Sequence, residues 1–147
     1  SLIFSHEKDI HGVWDPFVDF TRSRFYLDNR FNRDSVKSMY VNWFNGSISD
    51  QEKIVLFTKD YKTCEKNGVV LIKLDEIPII ELVSVAKEYR GLGIGKKILF
   101  YALNTLHNLG FSSVIVGTQE GNMAARNLYE SMDGELIEIK NYYHWFK

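Results

Sequence analysis

The spacing of apolar and polar positions divides the chain into a helical first third and a strand-rich remainder. Over residues 34–44, Val36, Met39, Tyr40, Trp43 and Phe44 recur at i, i+3, i+4, i+7 and i+8, which predicts one helical face with Asp34 as its N-cap. Residues 13–25 are rich in aromatics and predict a shorter helix, its boundaries blurred by Pro16. Residues 54–58 and 69–74 are β-branched apolar runs that predict an antiparallel pair, with Asn67-Gly68 as the turn between them. A third run over 77–85 tolerates Pro78 in its first positions. The stretch 96–109 carries Ile98, Leu99, Ala102, Leu103 and Leu106 on one helical face and stops at Gly110. Val114-Ile115-Val116 predicts a short buried strand, 122–132 a helix through Ala125, Leu128, Tyr129 and Met132, and 135–146 a return as extended chain. The predicted order is helices, antiparallel strands, then β-α-β-α-β, an α+β arrangement.

Composition narrows the class. At 147 residues the chain fits a single domain, 1–147, able to bury a core without metals or disulfides. A formal net charge of −1 provides no general attraction to nucleic acid, and no apolar run reaches the roughly 20 residues a membrane span requires. Neither nucleic acid nor membrane is an expected partner. The single cysteine, Cys64, cannot close an internal disulfide, and the first residues lack a basic stretch followed by an apolar signal region, so a cytoplasmic location is expected. Asn45-Gly46-Ser47 matches a glycosylation sequon but reads as the loop after a helix. The chain opens on Ser1, which fits a processed chain or a fragment.

The candidate chemistry sits where the third strand runs into a loop, Arg90-Gly91-Leu92-Gly93-Ile94-Gly95, and then a helix. Glycines at alternate positions let backbone amides face a ligand, and the positive end of the helix dipole favours an anion such as pyrophosphate, with Lys96 and Lys97 beside it. A Walker A loop needs Gly-Lys followed by Ser or Thr at a spacing that Gly91 to Lys97 does not offer. A dinucleotide fingerprint needs glycine where Lys96 stands.

The segment Val85-Ala86-Lys87-Glu88-Tyr89-Arg90-Gly91-Leu92-Gly93-Ile94-Gly95-Lys96 resembles motif A of the GNAT acetyltransferases. Some thirty residues on, Asn122-Met123-Ala124-Ala125-Arg126-Asn127-Leu128-Tyr129-Glu130 is similar to their motif B. The resemblance covers roughly residues 50–147 and departs at Asp133-Gly134, where the family usually has Gly followed by an aromatic residue. It implies a GNAT fold: a mixed, mostly antiparallel sheet flanked by helices, with a splayed parallel strand pair holding acetyl-coenzyme A. Residues 1–50 would then be a helical acceptor-side region and 51–147 the cofactor-binding core, with no metal. It further implies that the backbone of Val83 and Val85 pairs with the pantetheine arm and that an amide near Leu82 or Val83 faces the thioester oxygen. The loop from Arg90 through Gly91, Leu92, Gly93, Ile94, Gly95 and Lys96 would hold the pyrophosphate. Asn122, Ala125 and Leu128 would line the arm, and Tyr129 would be the general acid. Tyr129 read from its stripe alone is a core aromatic, and Asn122 read alone is an N-cap. Glu81, expected to share the strand parity of Val83 and Val85, is a candidate base; His144 and water are the others.

For the acceptor, Ser23-Arg24-Phe25-Tyr26-Leu27-Asp28-Asn29-Arg30-Phe31, Met39-Tyr40-Val41-Asn42-Trp43-Phe44-Asn45, Gly117-Thr118-Gln119-Glu120-Gly121-Asn122 and the terminal Tyr-His-containing stretch resemble the GNAT branch acting on dTDP-linked 4-amino-4,6-dideoxyhexoses, the dTDP-fucosamine N-acetyltransferases. That resemblance implies a small-molecule amine acceptor, a dTDP-amino-sugar, with Arg24, Arg30 or Arg33 meeting the nucleotide diphosphate and His144 lining the pocket. Solvated or ion-paired arginines are the structural alternative. An acetyltransferase for a protein N-terminus, polyamine or other small amine, and a non-catalytic coenzyme-A-binding sensor, stay open at this point. So does assembly as a homodimer.

Overall fold

The computed structural model describes residues 2–6 and 23–143. Among these residues five strands form one sheet in the order β1 (Leu2–His6), β2 (Lys53–Asp60), β3 (Lys66–Lys73), β4 (Ile79–Val85), β5 (Ile115–Val116). The first four are antiparallel neighbours, and β4 and β5 run parallel. The described helices are α1 (Arg24–Leu27), α2 (Arg33–Ser49), α3 (Ile94–Asn108) and α4 (Met123–Glu130). The result is the expected α+β arrangement, a mixed, mostly antiparallel sheet flanked by helices.

Alternation along the strands supplies both faces of the sheet. Val55, Phe57, Val69 and Leu71 pack with Phe44 and Ile48 of α2, while Leu56, Val70, Ile72 and Ile80 pack with Ile98, Leu99, Ala102 and Leu106 of α3. Leu128, Tyr129 and Met132 join the second cluster. The sheet is therefore covered on both sides.

Several local expectations change. The cap of α2 is Asn32, whose Oδ1 accepts from the amides of Asp34 at 2.9 Å and Ser35 at 3.1 Å, so Asp34 lies in the first turn instead. The helix also runs past Phe44 to Ser49, because Ser47 and Ile48 extend the buried stripe, and Asn45-Gly46-Ser47 is helical. Of the helix predicted over 13–25, only α1 falls among the described residues; 13–22 lie outside them.

Asn67-Gly68 is not a turn. The β2–β3 connection is built around Asp60, whose Oδ1 accepts from the amides of Lys62 at 2.8 Å and Thr63 at 3.1 Å, while Asn67 and Gly68 lie inside β3. A bulge between Thr58 and Lys59 leaves Asn67 as an extra residue on β3, fully buried, with its Oδ1 accepting from Thr58 Oγ1 at 2.7 Å. Glycine is needed next to it for space. A Cβ at Gly68 would stand 2.5 Å from Thr58 Oγ1 and 3.0 Å from Ile94 Cγ2. Gly68→Ala should therefore destabilise the protein by about 1–3 kcal/mol, the usual range for forcing atoms into a packed core. Denaturant unfolding checks this, and an unchanged midpoint would show that Thr58 and Ile94 yield freely.

After α4 the chain from 134 to 143 forms no strand, in contrast to the predicted return into the sheet. Leu136, Ile137 and Ile139 remain exposed there, so the burial that would hold them in a ladder is not made.

Candidate active site

Three elements, the end of β4, the start of α3 and α4, meet around Gly95. Among the described residues β5 pairs only with Ile79 and Ile80, so the remainder of β4 runs on beyond it. Beyond Val85 the chain turns sharply. The Ala86 amide donates to Asn67 O at 3.0 Å, a 3-10 turn spans Lys87–Tyr89, and Arg90 Nε donates to Val85 O at 3.0 Å.

Gly91 and Gly93 have φ of 78° and 75°, a region that residues with a Cβ enter at a cost, and nothing lies within 4 Å of where a Cβ would stand on either. Gly93 is the N-cap of α3 and carries no side chain to satisfy the first turn. The Lys97 amide closes the first helical bond onto Gly93 O at 3.2 Å, so the amides of Ile94, Gly95 and Lys96 have no acceptor within the helix. The result is an open nest of donors at a positive helix end. Ile94 itself is buried, so its only outward group is the backbone, whereas Leu92 is exposed. Lys96 Nζ donates to Ser131 O at 3.2 Å and ties α3 to the end of α4.

Gly95 is where these elements touch. A Cβ there would sit 3.6 Å from Leu128 Cδ2 and 3.7 Å from Val85 Cγ2. α4 starts at Asn122, whose Oδ1 accepts from the Ala125 amide at 3.3 Å, so the N-cap reading of this residue is realised and its amide NH₂ remains for other work. Tyr129, packed against the α3-side core, makes no hydrogen bond through its hydroxyl among the described residues. Burial raises its pKa from 10.0 to about 12, because the phenolate would be poorly solvated.

That shift makes a prediction about alkaline stability. A phenol with a raised folded-state pKa contributes stability in full below pH about 10, and loses it as pH rises toward about 12. The amount is no more than about 2 kcal/mol once the part-exposed ring's screening is counted. Urea unfolding between pH 9 and pH 12 should show a steeper loss for the natural chain than for Tyr129→Phe, and parallel curves would show that the hydroxyl is better solvated than its surroundings imply.

Glu81 corrects the parity argument. The register passes from Leu71 opposite Leu82 to Ile72 opposite Ile80, which leaves Glu81 as the extra residue of a bulge. Ile80 and Val83 face α3, Leu82 faces α2, and Glu81 turns to the α2 side as well, where its Oε2 meets Lys53 Nζ at 2.7 Å. Glu81 thus does not share the face of Val83. Lys53 also donates to Ser47 Oγ at 3.2 Å and lies 5.8 Å from the Trp43 ring centroid. Neither periodicity nor motif marked Lys53; it reads only as the polar start of an apolar strand.

The arginines expected on the acceptor side are engaged locally. Arg30 forms a two-pronged pair with Asp28 at 2.9 and 2.6 Å, which raises its already high pKa, and Arg33 donates to Tyr26 O and, at 3.2 Å, to Asn29 Oδ1. Arg24 stands 4.7 Å from the Phe25 ring and 4.2 Å from that of Tyr142, and so joins α1 to the terminal stretch. His144 lies outside the described residues. Among the described residues no group of His, Cys, Asp and Glu gathers as metal ligands, and no helix is long and apolar enough to cross a membrane.

Residues 68–134, from β3 to the end of α4, match the Acetyltransferase (GNAT) family. The chain is 25% identical over 130 residues to the spore coat polysaccharide biosynthesis protein SpsD of Bacillus subtilis, covering 85% of this chain and 43% of that protein. It is 34% identical over 53 residues to N-alpha-acetyltransferase 30 of Schizosaccharomyces pombe, covering 36% and 35%. The chain thus spans less than half the length of these curated relatives. Among solved structures, aminoglycoside antibiotic 6'-N-acetyltransferase AAC(6')-Ih of Acinetobacter baumannii superposes with a TM-score of 0.68 at 11% identity, over 100% of this chain and 99% of that one. Residues 68–134 thus resemble the GNAT acetyltransferases in sequence, and the fold is shared with a solved N-acetyltransferase.

Proposed function

We propose that this chain transfers an acetyl group from acetyl-coenzyme A to a primary amine by direct attack, and that the acceptor is a nucleotide-linked amino-dideoxysugar. The observation that carries the reading is the convergence of the open α3 N-terminus, the end of β4 and α4 at Gly95. The residues fit the cofactor: the amides of Ile94, Gly95 and Lys96, flanked by Arg90, Gly91, Leu92 and Gly93, suit a pyrophosphate, and the space over Gly91 and Gly93 is clear. The backbone of Leu82, Val83 and Val85 suits an extended pantetheine amide chain, with Asn122, Ala125 and Leu128 on the other side.

When bound, acetyl-coenzyme A supplies an acetyl group activated as a thioester. In this reading an amide at Leu82 or Val83 stabilises the developing negative charge on the carbonyl oxygen, and Tyr129 donates its proton toward the departing sulfur. Glu81 receives the acceptor's ammonium and takes one of its protons, which frees the nitrogen to attack; the second proton, lost as the amide forms, replaces the one Tyr129 gives to sulfur. Arg24, Arg30 and Arg33 form the basic, aromatic-rich side that a nucleotide diphosphate would meet, with Arg24 already against the terminal stretch that contains His144.

Support for an amino-sugar acceptor comes from the polysaccharide-biosynthesis relative, which matches across most of this chain, and from the fold shared with an aminoglycoside N-acetyltransferase. Acetyl-coenzyme A turnover with a dTDP-amino-dideoxysugar, a set of N-terminal peptides and a polyamine decides it. The sugar nucleotide should lead in kcat/KM by about tenfold or more, and a peptide ahead by tenfold, about 1.4 kcal/mol of transition-state discrimination, would overturn the acceptor. Tight coenzyme A binding without turnover of any amine would overturn the transferase and leave a sensor.

A further inference from the structure

We infer that Lys53 is a positioning residue: it fixes the Glu81 carboxylate so that one oxygen is held and the other is presented to the ammonium of the acceptor. This rests on the acetyltransfer reading above and assigns the group that makes its amine site.

The geometry is not that of neighbouring strands closing a surface pair. In the ladder Lys53 is opposite Lys73, and Lys73 is opposite Ile79, so β3 lies between Lys53 and the strand that carries Glu81. Two strand spacings, about 9–10 Å, separate their backbones. Lys53 must therefore extend across β3, and only the bulge turns Glu81 to the α2 face where it can be met.

Holding a lysine in one extended rotamer costs side-chain entropy, and here three groups offset it. Its Nζ is 2.7 Å from Glu81 Oε2, 3.2 Å from Ser47 Oγ and 5.8 Å from the Trp43 ring centroid. Ser47 Oγ spends its own proton on Trp43 O at 2.8 Å, so it faces Lys53 as an acceptor. The lysine side chain is 12% exposed and that of Glu81 22% exposed. These contacts converge on Lys53 Nζ, which in turn holds Glu81 by Oε2. Among the described residues no donor reaches Oε1. A half-buried carboxylate with one oxygen anchored and one open is a receptor for a second cation, and a primary ammonium beside the Trp43 face matches it in charge and size. An ion pair serving the fold alone gains nothing from an open oxygen, since apolar side chains of similar volume would hold the strands as well.

The test is a double-mutant cycle with acetyl-coenzyme A and the dTDP-amino-dideoxysugar. Lys53→Met should lower kcat/KM for the amine by about tenfold or more, chiefly through KM, while the Kd for acetyl-coenzyme A moves less than about twofold. Lys53→Arg should recover much of the loss. In a Glu81→Gln background the same Lys53→Met change should add less than about twofold, because its only role is to place that carboxylate. Full activity in Lys53→Met, or equal losses in both backgrounds, would overturn the inference. A second readout is independent of turnover: the ¹H–¹⁵N resonance of the Lys53 ammonium should be resolved in the natural chain, shift on adding the amino-sugar, and vanish in Glu81→Gln. If no amine is acetylated but this resonance shifts with the sugar, the transfer reading falls and the positioning role stands. If turnover proceeds and the resonance ignores the sugar, the reverse holds.

Discussion

Gly93→Val should raise the Kd for acetyl-coenzyme A about a hundredfold or more, about 2.8 kcal/mol, while the helical circular dichroism signal persists. Two effects act together. Gly93 has a φ of 75°, and a β-branched residue held there costs about 1–2 kcal/mol, so the loop relaxes away from the conformation that aims its amides outward. A retained conformation is no better for binding: the space around the position is open in the protein, and the valine methyls would fill the volume that a phosphate needs. Gly93→Asn separates the two contributions, because asparagine enters the left-handed region at little cost yet still adds side-chain volume. Both variants should lose affinity and only valine should lose appreciable stability. Isothermal titration with acetyl-coenzyme A and thermal melting measure the two quantities, and an unchanged Kd for Gly93→Val would remove the loop from the cofactor site.

The loop was legible in the sequence because everything that shapes it is local. Alternate glycines, a strand before them and the 3.6-residue stripe of Ile98, Leu99, Ala102 and Leu106 after them are enough to predict a strand, turn and helix start, and α3 differs in beginning at Ile94 and ending at Asn108. Non-local pairing explains what was missed. Strict alternation put Glu81 with Val83, but a bulge is created by the register with β3 and leaves no mark in the bulged strand's own residues. The same applies to Asn67-Gly68, a pair that favours a turn by itself, which the Thr58 hydroxyl and the close approach of Ile94 draw into the strand. Lys53 is the case with functional weight. Its position at the start of β2 is ordinary, and only the folded sheet shows that it reaches across β3.

Tyr129→Phe should lower kcat by about a hundredfold, the low end of general-acid contributions, with the Kd for acetyl-coenzyme A nearly unchanged. The ring packs into the α3-side core and phenylalanine keeps that packing, so the folded structure should survive. The hydroxyl has no hydrogen-bond partner among the described residues, and its removal leaves no buried group stranded. With its pKa pushed up to about 12, the phenol is protonated throughout the neutral range and always ready to donate. The same shift limits its strength. Against a thiol of ordinary pKa near 8.5, complete proton transfer is uphill by roughly 5 kcal/mol, so donation must develop as the bond to sulfur lengthens rather than precede it. That argues for the smaller end of the range, and for sensitivity to the leaving group. A coenzyme A analogue with a more acidic thiol needs less protonation, and the penalty of Tyr129→Phe should shrink with it. The alkaline limb of kcat should also not bend below about pH 11 on account of this residue, since its proton stays on until pH approaches about 12. Single-turnover measurements isolate the chemical step from product release. If Tyr129→Phe keeps full kcat where chemistry is rate-limiting, the tyrosine is a core residue only, and the proton reaches sulfur from water.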